Sequence, residues 1–253
     1  MHGNYSIMFH IFQKKRFLVD ALNGFVDIHN HLLPGIDDGA KTVEDSIAMI
    51  REFASFGVTK FIATPHIMAD YYPNTAETIG QALTLLKSEL LRQGLDTIAI
   101  EAAAEHMIDS QFESLLEDKG IMPLRSRHLL IEMSYLQASL NFDDAIERIA
   151  SAGFFPILAH PERYRYLHGK TGVLKEYKKK NVLFQLNLLS LGEYYGKDIQ
   201  KVALNLLDKK VIDFVGSDIH TIQQLKVLKE ITLVNSVYDK LVPVVQNTIR
   251  EFY

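Results

Sequence analysis

The chain has 253 residues, of which 47% are apolar, with 27 Lys and Arg against 31 Asp and Glu and a net charge of -4. That apolar content is ample for one large core, and single α/β barrels reach this length, so nothing forces a division into two domains. The absence of cysteine excludes disulfides, thiolate metal sites and cysteine nucleophiles, and the lack of a basic block excludes an extended nucleic-acid footprint.

At the start of the chain, Ile7 to Phe12 is apolar, but the charges of Lys14, Lys15 and Arg16 follow it instead of preceding it. The run is also too short for a secretory signal. No stretch approaches the roughly 20 apolar residues of a membrane span. Residues 1–23 are therefore expected to form an appended arm or short helix, and the protein to be soluble and cytoplasmic.

Phe25, Val26 and Ile28 read as a short buried strand that runs into His29-Asn30-His31 and then a Pro34-Gly35 loop carrying Asp37 and Asp38. Residues i and i+2 of a strand point to the same side, so both imidazoles can face one ion. Thr42 and Asp45 suggest a capping box for a helix that stops at Gly57. A second strand over 58–64 ends at Pro65-His66, and a helix from about Thr75 to Gln93 stops at Gly94. A third strand over 97–104 ends at Glu105. A short helix over 109–118 precedes a strand over 128–133 that contains Glu132, and a helix follows over 142–152. The strand over 154–159 ends at His160, the strand over 182–187 at Asn187, and the strand over 211–216 at Ser217-Asp218-Ile219-His220. Helices are expected at 172–180 and 196–209, and the remainder through Phe252 reads as mostly helical with a break at Pro243.

Seven strand-like runs alternating with helices predict a parallel α/β architecture, and even spacing favours a single barrel domain over 24–253. His29, His31, His66, Glu105, Glu132, His160, Asp218 and His220 fall at the C-terminal ends of these runs, with Asp37 or Asp38 in the first loop. In a β/α barrel those ends converge on one face. About nine N and O ligands exceed what one tetrahedral ion takes and suit two or three ions sharing carboxylates, with Mn, Fe, Zn and Mg all compatible with a set free of thiolates. Such a cluster hydrolyses phosphate esters or amides. Arg163, three residues past His160, favours the ester, because a guanidinium forks onto phosphate oxygens. The competing role for Arg163 is a salt bridge to Glu162 or another loop carboxylate.

His29-Asn30-His31, Thr64-Pro65-His66, Glu105, Leu130-Ile131-Glu132, Ala159-His160-Pro161-Glu162-Arg163-Tyr164 and Ser217-Asp218-Ile219-His220 together resemble the polymerase and histidinol phosphatase (PHP) superfamily. More narrowly they resemble its bacterial protein-tyrosine phosphatases of capsule and exopolysaccharide synthesis. The resemblance spans residues 24 to about 220. It implies a distorted seven-stranded β/α barrel with three metal ions, commonly manganese, acting on C-terminal phosphotyrosines of a partner tyrosine kinase. It also implies that His29, His31, Glu105 and Asp218 hold one ion, that Glu105 bridges to a second held by Glu132 and His160, and that Asp38, His66 and His220 hold the third. The family's second arginine is absent from Thr221-Ile222-Gln223-Gln224-Leu225-Lys226, leaving Lys226 as a substitute that binds only as a point charge.

The expected chemistry is attack of a metal-bridging hydroxide on phosphorus, with tyrosinate leaving; its phenol pKa of about 10 reduces the need for a general acid. Asp37 is the candidate if one exists. Among the loop tyrosines, Tyr72 and Tyr164 are expected to pack on the substrate ring, and Asn187 to reach substrate or orient a ligand. Lys14 to Arg16 is read as a solvated run, with a neighbouring subunit of a homo-oligomer or a membrane-bound kinase as alternative contacts. Three competing functions remain. A histidinol-phosphate-type phosphatase would use the same metals, and a metal-dependent binding module would turn over nothing. An amidohydrolase is disfavoured because Glu132 stands where its bridging lysine belongs.

Overall fold

Period-two apolar runs alternate with capped amphipathic runs along residues 14–253, which the computed structural model describes apart from Ser126. The elements in chain order are β1 Lys15–Phe17, β2 Val26–Asp27, α1 Val43–Ala54, β3 Lys60–Ala63, β4 His66–Ile67, α2 Ala76–Arg92, β5 Ala99–Ala102, β6 Glu105–Met107, α3 Phe112–Glu117, β7 His128–Glu132, α4 Phe142–Ser151, β8 Phe155–Ala159, α5 Thr171–Lys179, β9 Leu183–Asn187, α6 Lys197–Asp208, β10 Phe214–Gly216, α7 Ile222–Glu230, β11 Thr232–Val234 and α8 Asn235–Phe252.

The helix starts follow from local chemistry. Thr42 accepts from the Asp45 N–H while Asp45 accepts from the Thr42 N–H, closing the expected capping box on α1. The same reciprocal pair, Thr75 with Thr78, opens α2. Gly57 and Gly94, beyond the ends of these helices, have φ of +86° and +66°, a region that costs glycine little.

The strands form a curled parallel sheet in two ladders, β2-β3-β5 and β10-β9-β8-β7-β6-β4. Two of the expected strands are each followed by a short further strand, β4 after β3 across Thr64-Pro65 and β6 after β5 across Ala103-Ala104. Pro65 has no N–H to give the ladder, so pairing stops there and resumes one step later with His66 opposite Glu105. The first and last parallel strands meet beyond their ends. Asn30 bridges Ile219, and Ser217 donates from N and Oγ to the two carboxylate oxygens of Asp27 at 3.0 and 2.6 Å.

β7 is buried along its whole length and sorts its side chains by alternation. Leu129 and Ile131 join the main core under the helices, while Leu130 joins Val26, Ile28, Ile62, Ile157, Phe214 and Phe252 in a second cluster lining the inside of the curl. Phe252, from the end of α8, closes that inner cluster. The polar residues therefore have only the opposite end of the curl, at the strand C-termini.

Two expectations concern the ends of the chain. Residues 15–22, expected as an arm or short helix, hold a strand followed by a 3-10 helix over Leu18–Ala21: β1 pairs antiparallel with β11, and Leu18 and Leu22 are fully buried. Residues 1–13, including the Ile7 to Phe12 run, lie outside the described residues. Pro243 does not break the C-terminal helix; α8 runs through it, because the prolyl face and Asp239, whose carbonyl loses its partner, are exposed to water. The break lies instead at Ile231, between the end of α7 and the start of β11.

Candidate metal centre

Each strand end delivers one or two of the sequence-marked side chains into a common space. After β2, the His29 Nδ1 lies 2.8 Å from Gln185 Oε1 and the His31 Nδ1 lies 2.8 Å from Asp37 Oδ2. Gln185 in turn donates its amide to Leu186 O at 2.7 Å, which aims its oxygen at His29. Both partners are acceptors, so Nδ1 donates in each ring and Nε2 is the nitrogen left to face an ion. His29 Nε2 lies 3.2 Å from Glu105 Oε1 and 3.3 Å from Asp218 Oδ1, and His31 Nε2 lies 3.4 Å from the same Asp218 oxygen. The approach is close enough to require glycine. A Cβ on Gly39 would fall 2.2 Å from His31 O, and one on Gly216 would fall 2.6 Å from His29 Cβ.

His66 stands between two groups. Its Nδ1 is 2.9 Å from Glu132 Oε1 and 3.1 Å from Glu105 Oε2, and its Nε2 is 3.4 Å from Asp38 Oδ1. His220 Nε2 reaches the same Asp38 oxygen at 3.4 Å, and its ring stacks on His31 at 3.8 Å. His160 Nε2 lies 3.2 Å from Glu105 Oε1. All nine marked ligand candidates thus meet, in four overlapping groups: His31, Asp38, His66 and His220; His29, Glu105 and His160; His29, His31 and Asp218; His66, Glu105 and Glu132. His66 groups with Asp38 and His220 as the resemblance implies and also lies beside Glu132, whereas His160 groups with His29 and Glu105 and not with Glu132. His160 and Asp218 have φ of +35° and +52°. Non-glycine residues in that region cost about 1–3 kcal/mol each and occur where a site holds them.

Among the described residues, His29 Nε2, His31 Nε2, His66 Nδ1, Glu105 Oε2 and Glu132 Oε1 are buried without a hydrogen-bond partner. Five unsatisfied donors and acceptors converging on one space, all nitrogen or carboxylate oxygen, fit divalent cations. Burial opposes charge on His29, but facing Glu105 and Asp218 raise its pKa well above the ordinary value. Burial pushes the carboxyls of Glu105 and Asp218 up, yet His29 and further hydrogen bonds hold both well below the usual range.

The cluster is the floor of a cavity of about 850 Å³. Arg163 lines its wall, with Nη1 2.6 Å from Asp218 Oδ2 and the guanidinium between the rings of Tyr135 and Tyr195 at 4.7 and 4.2 Å. Its salt-bridge partner is therefore Asp218 and not Glu162. Tyr72 stacks on His66 at 5.5 Å and borders the cavity.

Several assigned roles change. Tyr164 is fully buried and accepts the Met133 N–H at 3.0 Å, so its ring cannot face a substrate. Asp37 accepts from His31, from the Gly39 N–H at 2.9 Å and from the His66 N–H at 3.2 Å. Burial raises its carboxyl, but the His31 ring outweighs this and lowers it, and Asp37 is not among the residues that line the cavity. Asn187 is buried and donates to Asp218 Oδ2 at 2.8 Å, the contact its expected orienting alternative calls for. Lys226 is exposed on α7, away from the residues lining the cavity. Sequence reasoning missed Gln185, although the period-two relation to Asn187 on β9 marks it, and missed the pairing of Tyr135 with Tyr195 around Arg163, for which no sequence signal exists.

A family model described as capsular polysaccharide synthesis, CpsB/CapC, matches residues 25–238. CapC of Staphylococcus aureus, provisionally named a tyrosine-protein phosphatase, is 32% identical over 200 residues, covering 78% of this chain and 77% of its own. The tyrosine-protein phosphatase CpsB of Streptococcus pneumoniae is 28% identical over 203 residues, covering 78% and 83%. A crystal structure from work on YwqE of Bacillus subtilis and CpsB of Streptococcus pneumoniae, described as unique metal-dependent tyrosine phosphatases, superposes with a TM-score of 0.75 at 26% identity, covering 90% of this chain and 95% of that one. A phosphotriesterase homology protein from Escherichia coli, at 13% identity and a TM-score of 0.50, shares the fold alone. The chain belongs to the CpsB/CapC family of capsular polysaccharide synthesis.

Proposed function

We propose that this protein is a metal-dependent protein-tyrosine phosphatase acting on phosphotyrosine in a protein substrate, a bacterial tyrosine kinase that regulates capsule or exopolysaccharide synthesis. The observation that carries the reading is the convergence of nine N and O side chains beneath a cavity whose wall bears Arg163. The names of the relatives point the same way.

His29, His31, Glu105 and Asp218 would hold one ion, Glu105, Glu132 and His160 a second, and Asp38, His66 and His220 a third, with manganese the favoured metal. When bound, such ions supply a water acidic enough to act as hydroxide near neutral pH and Lewis-acid contacts to phosphate oxygens. Arg163 forks onto the phosphate and offsets its developing charge. Gln185, Asp37 and Asn187 keep His29, His31 and Asp218 aimed. Tyr72 and Tyr135 flank the phenyl ring. The leaving tyrosinate is a weak enough base, with a pKa of about 10, to depart without a dedicated side-chain acid.

The catalytic unit is a single domain over 24–253, built as a distorted seven-stranded barrel; the Asn30–Ile219 bridge and the Asp27–Ser217 hydrogen bonds support closure between its first and last strands. Among the described residues no helix is long and apolar enough to cross a membrane, and we place the protein in the cytoplasm. Homo-oligomer formation is a further part of the reading, with β1 and the basic residues beside it as a surface available for it.

The test is phosphate release from a tyrosine-phosphorylated peptide by metal-stripped protein before and after Mn²⁺ is restored, with a phosphoserine peptide and histidinol phosphate in parallel. Metal-restored turnover selective for phosphotyrosine is expected. Turnover confined to histidinol phosphate overturns the substrate class, and no turnover of any phosphoester overturns the enzyme.

A further inference from the structure

The cavity above the cluster, about 850 Å³, is larger than a phosphorylated phenyl ring needs, and large apolar side chains on its lining are exposed. Leu136 and Leu140, on the loop after β7, are 92% and 100% exposed, and Tyr71 on the loop after β4 is 74% exposed. All three line the same cavity as His66, Glu132 and Arg163. Fully exposed leucines flanking a concave site are unusual for a surface that stays wetted, and contiguous exposed apolar area marks a binding surface. The loop carrying Tyr71 is held in place: Asp109 accepts the Ala69 N–H at 2.9 Å and the Gln111 N–H at 2.9 Å. On the facing side, Ser139 Oγ donates to Ile108 O at 2.9 Å and Tyr166 donates to Ser134 O at 2.9 Å, anchoring both ends of the leucine loop. The two lips are thus set before a ligand arrives. Among the described residues lining the cavity Arg163 is the only Arg or Lys, while Asp70 and Asp109 also line it. That charge pattern accepts the phosphate at the floor and repels acidic side chains beside it.

We propose that Leu136 and Leu140, with Tyr71 opposite, form an apolar lip that docks a hydrophobic side chain adjacent to the phosphotyrosine of the protein substrate. This inference rests on the phosphotyrosine reading above and adds to it a sequence preference. The occupant belongs to the substrate because the lip is continuous with the cavity that takes the phosphate. A peptide held at the floor by its phosphotyrosine must cross the lip on its way out. Its neighbouring residue trades water for the two leucines and the Tyr71 ring.

The test compares kcat/KM on three phosphotyrosine peptides that differ only in the residue next to phosphotyrosine, Leu, Ser or Asp, placed on either side in turn. The metal-loaded full chain and its Leu136→Ser, Leu140→Ser double variant are measured in parallel. Both substituted positions are exposed, so folding is not at stake. Partial burial of one leucine side chain corresponds to about tenfold. The parent should therefore favour Leu over Ser by about that factor on one side, with Asp poorest, and the double variant should bring the Leu-to-Ser ratio to about one. A parent with no flank preference, or a variant that keeps the parent's ratio, overturns the lip while leaving the phosphatase reading intact. A variant whose mass in solution changes while its ratio does not assigns the leucines to a contact between copies and also overturns it. Failure to hydrolyse any of the peptides overturns the phosphatase reading and the lip with it.

Discussion

Arg163 Nη1 sits 2.6 Å from Asp218 Oδ2, so the one guanidinium among the described residues that line the cavity is paired with a carboxylate that also faces His29 and His31. The aromatic rings of Tyr135 and Tyr195 hold the guanidinium from both sides. One lateral edge is bound to Asp218, and the remaining N–H groups are available to a phosphate. Arg163→Ala should lower kcat/KM on a phosphotyrosine peptide by about 10²–10³, the usual cost of removing one donor to a transition-state oxyanion. Arg163→Lys should recover only part of it, because an ammonium keeps the charge and loses the fork. Steady-state kinetics decide; equal activity of Arg163→Lys and the parent would show that planar recognition plays no part.

Asp37 separates an orienting role from an acid role. It accepts three hydrogen bonds and holds His31 by Nδ1. Asp37→Asn keeps the shape and weakens the grip on the His31 tautomer, and residues in this position typically carry 10–100-fold of metal affinity, so a loss of about that size is expected. Saturating metal should restore most of the rate. Metal titration followed by activity checks this, and a rate deficit that no metal concentration repairs would return Asp37 to a proton-donating role.

Two tyrosines that look alike in the sequence should part in experiment. Tyr164 is buried and accepts the Met133 N–H. Tyr164→Phe orphans that N–H and should cost about 1–3 kcal/mol of stability, with KM unchanged. Tyr72 lies on the cavity edge against His66, and Tyr72→Ala should raise KM with little effect on stability. Urea unfolding and peptide kinetics on both variants supply the readouts, and a KM effect at Tyr164 would contradict its burial.

The contrast between these tyrosines shows where sequence reasoning stops. The strand-end ligands were legible because a strand of period two followed by a turn places polar residues at one end, and His29, His31, His66, Glu105, Glu132, His160, Asp218 and His220 all meet as that rule demands. The caps of α1 and α2 follow from side chains only three residues apart. Tyrosine carries no such signal, since a ring with a hydroxyl suits a core hydrogen bond and a cavity wall equally. The β1–β11 pair escaped for a different reason. Three residues on each side, joined across the whole chain, have no local pattern, and the pairing is decided by the burial of Leu18 and Leu22 behind it. The left-handed backbone of His160 and Asp218 is equally invisible, being imposed by the geometry of the centre.

Metal removal should lower stability as well as activity. Buried His29 Nε2, Glu105 Oε2 and Glu132 Oε1 lack hydrogen-bond partners among the described residues, and ions that bind only the folded chain stabilise it by mass action. Restoring Mn²⁺ at about 100 times its dissociation constant should add about 2.7 kcal/mol per site. Thermal unfolding of stripped and reloaded protein measures it, and an unchanged midpoint would count against a metal centre built from these residues.

His128 offers a pH test remote from the metal centre. It begins β7 with its ring against Phe155, Phe214 and Phe252, and the nearest carboxylate oxygen, on Glu251, is 3.7 Å away. Burial among those rings lowers its pKa below the ordinary value, and Arg127 adds to the effect while Glu251 opposes it. A histidine depressed in the folded state binds its proton more readily when unfolded. Its contribution is therefore fully present above an unfolded pKa of about 6.5 and is lost as pH falls from there toward the folded value. The urea midpoint of the parent should drop between pH 7.5 and pH 5.5 by more than that of His128→Phe, which keeps an aromatic ring in the cage and removes the proton site. Taking the difference between the two proteins cancels the titration of the metal-centre histidines, which both retain. Equal drops would show that His128 is solvated in the folded chain and that its aromatic cage does not exclude the charged ring.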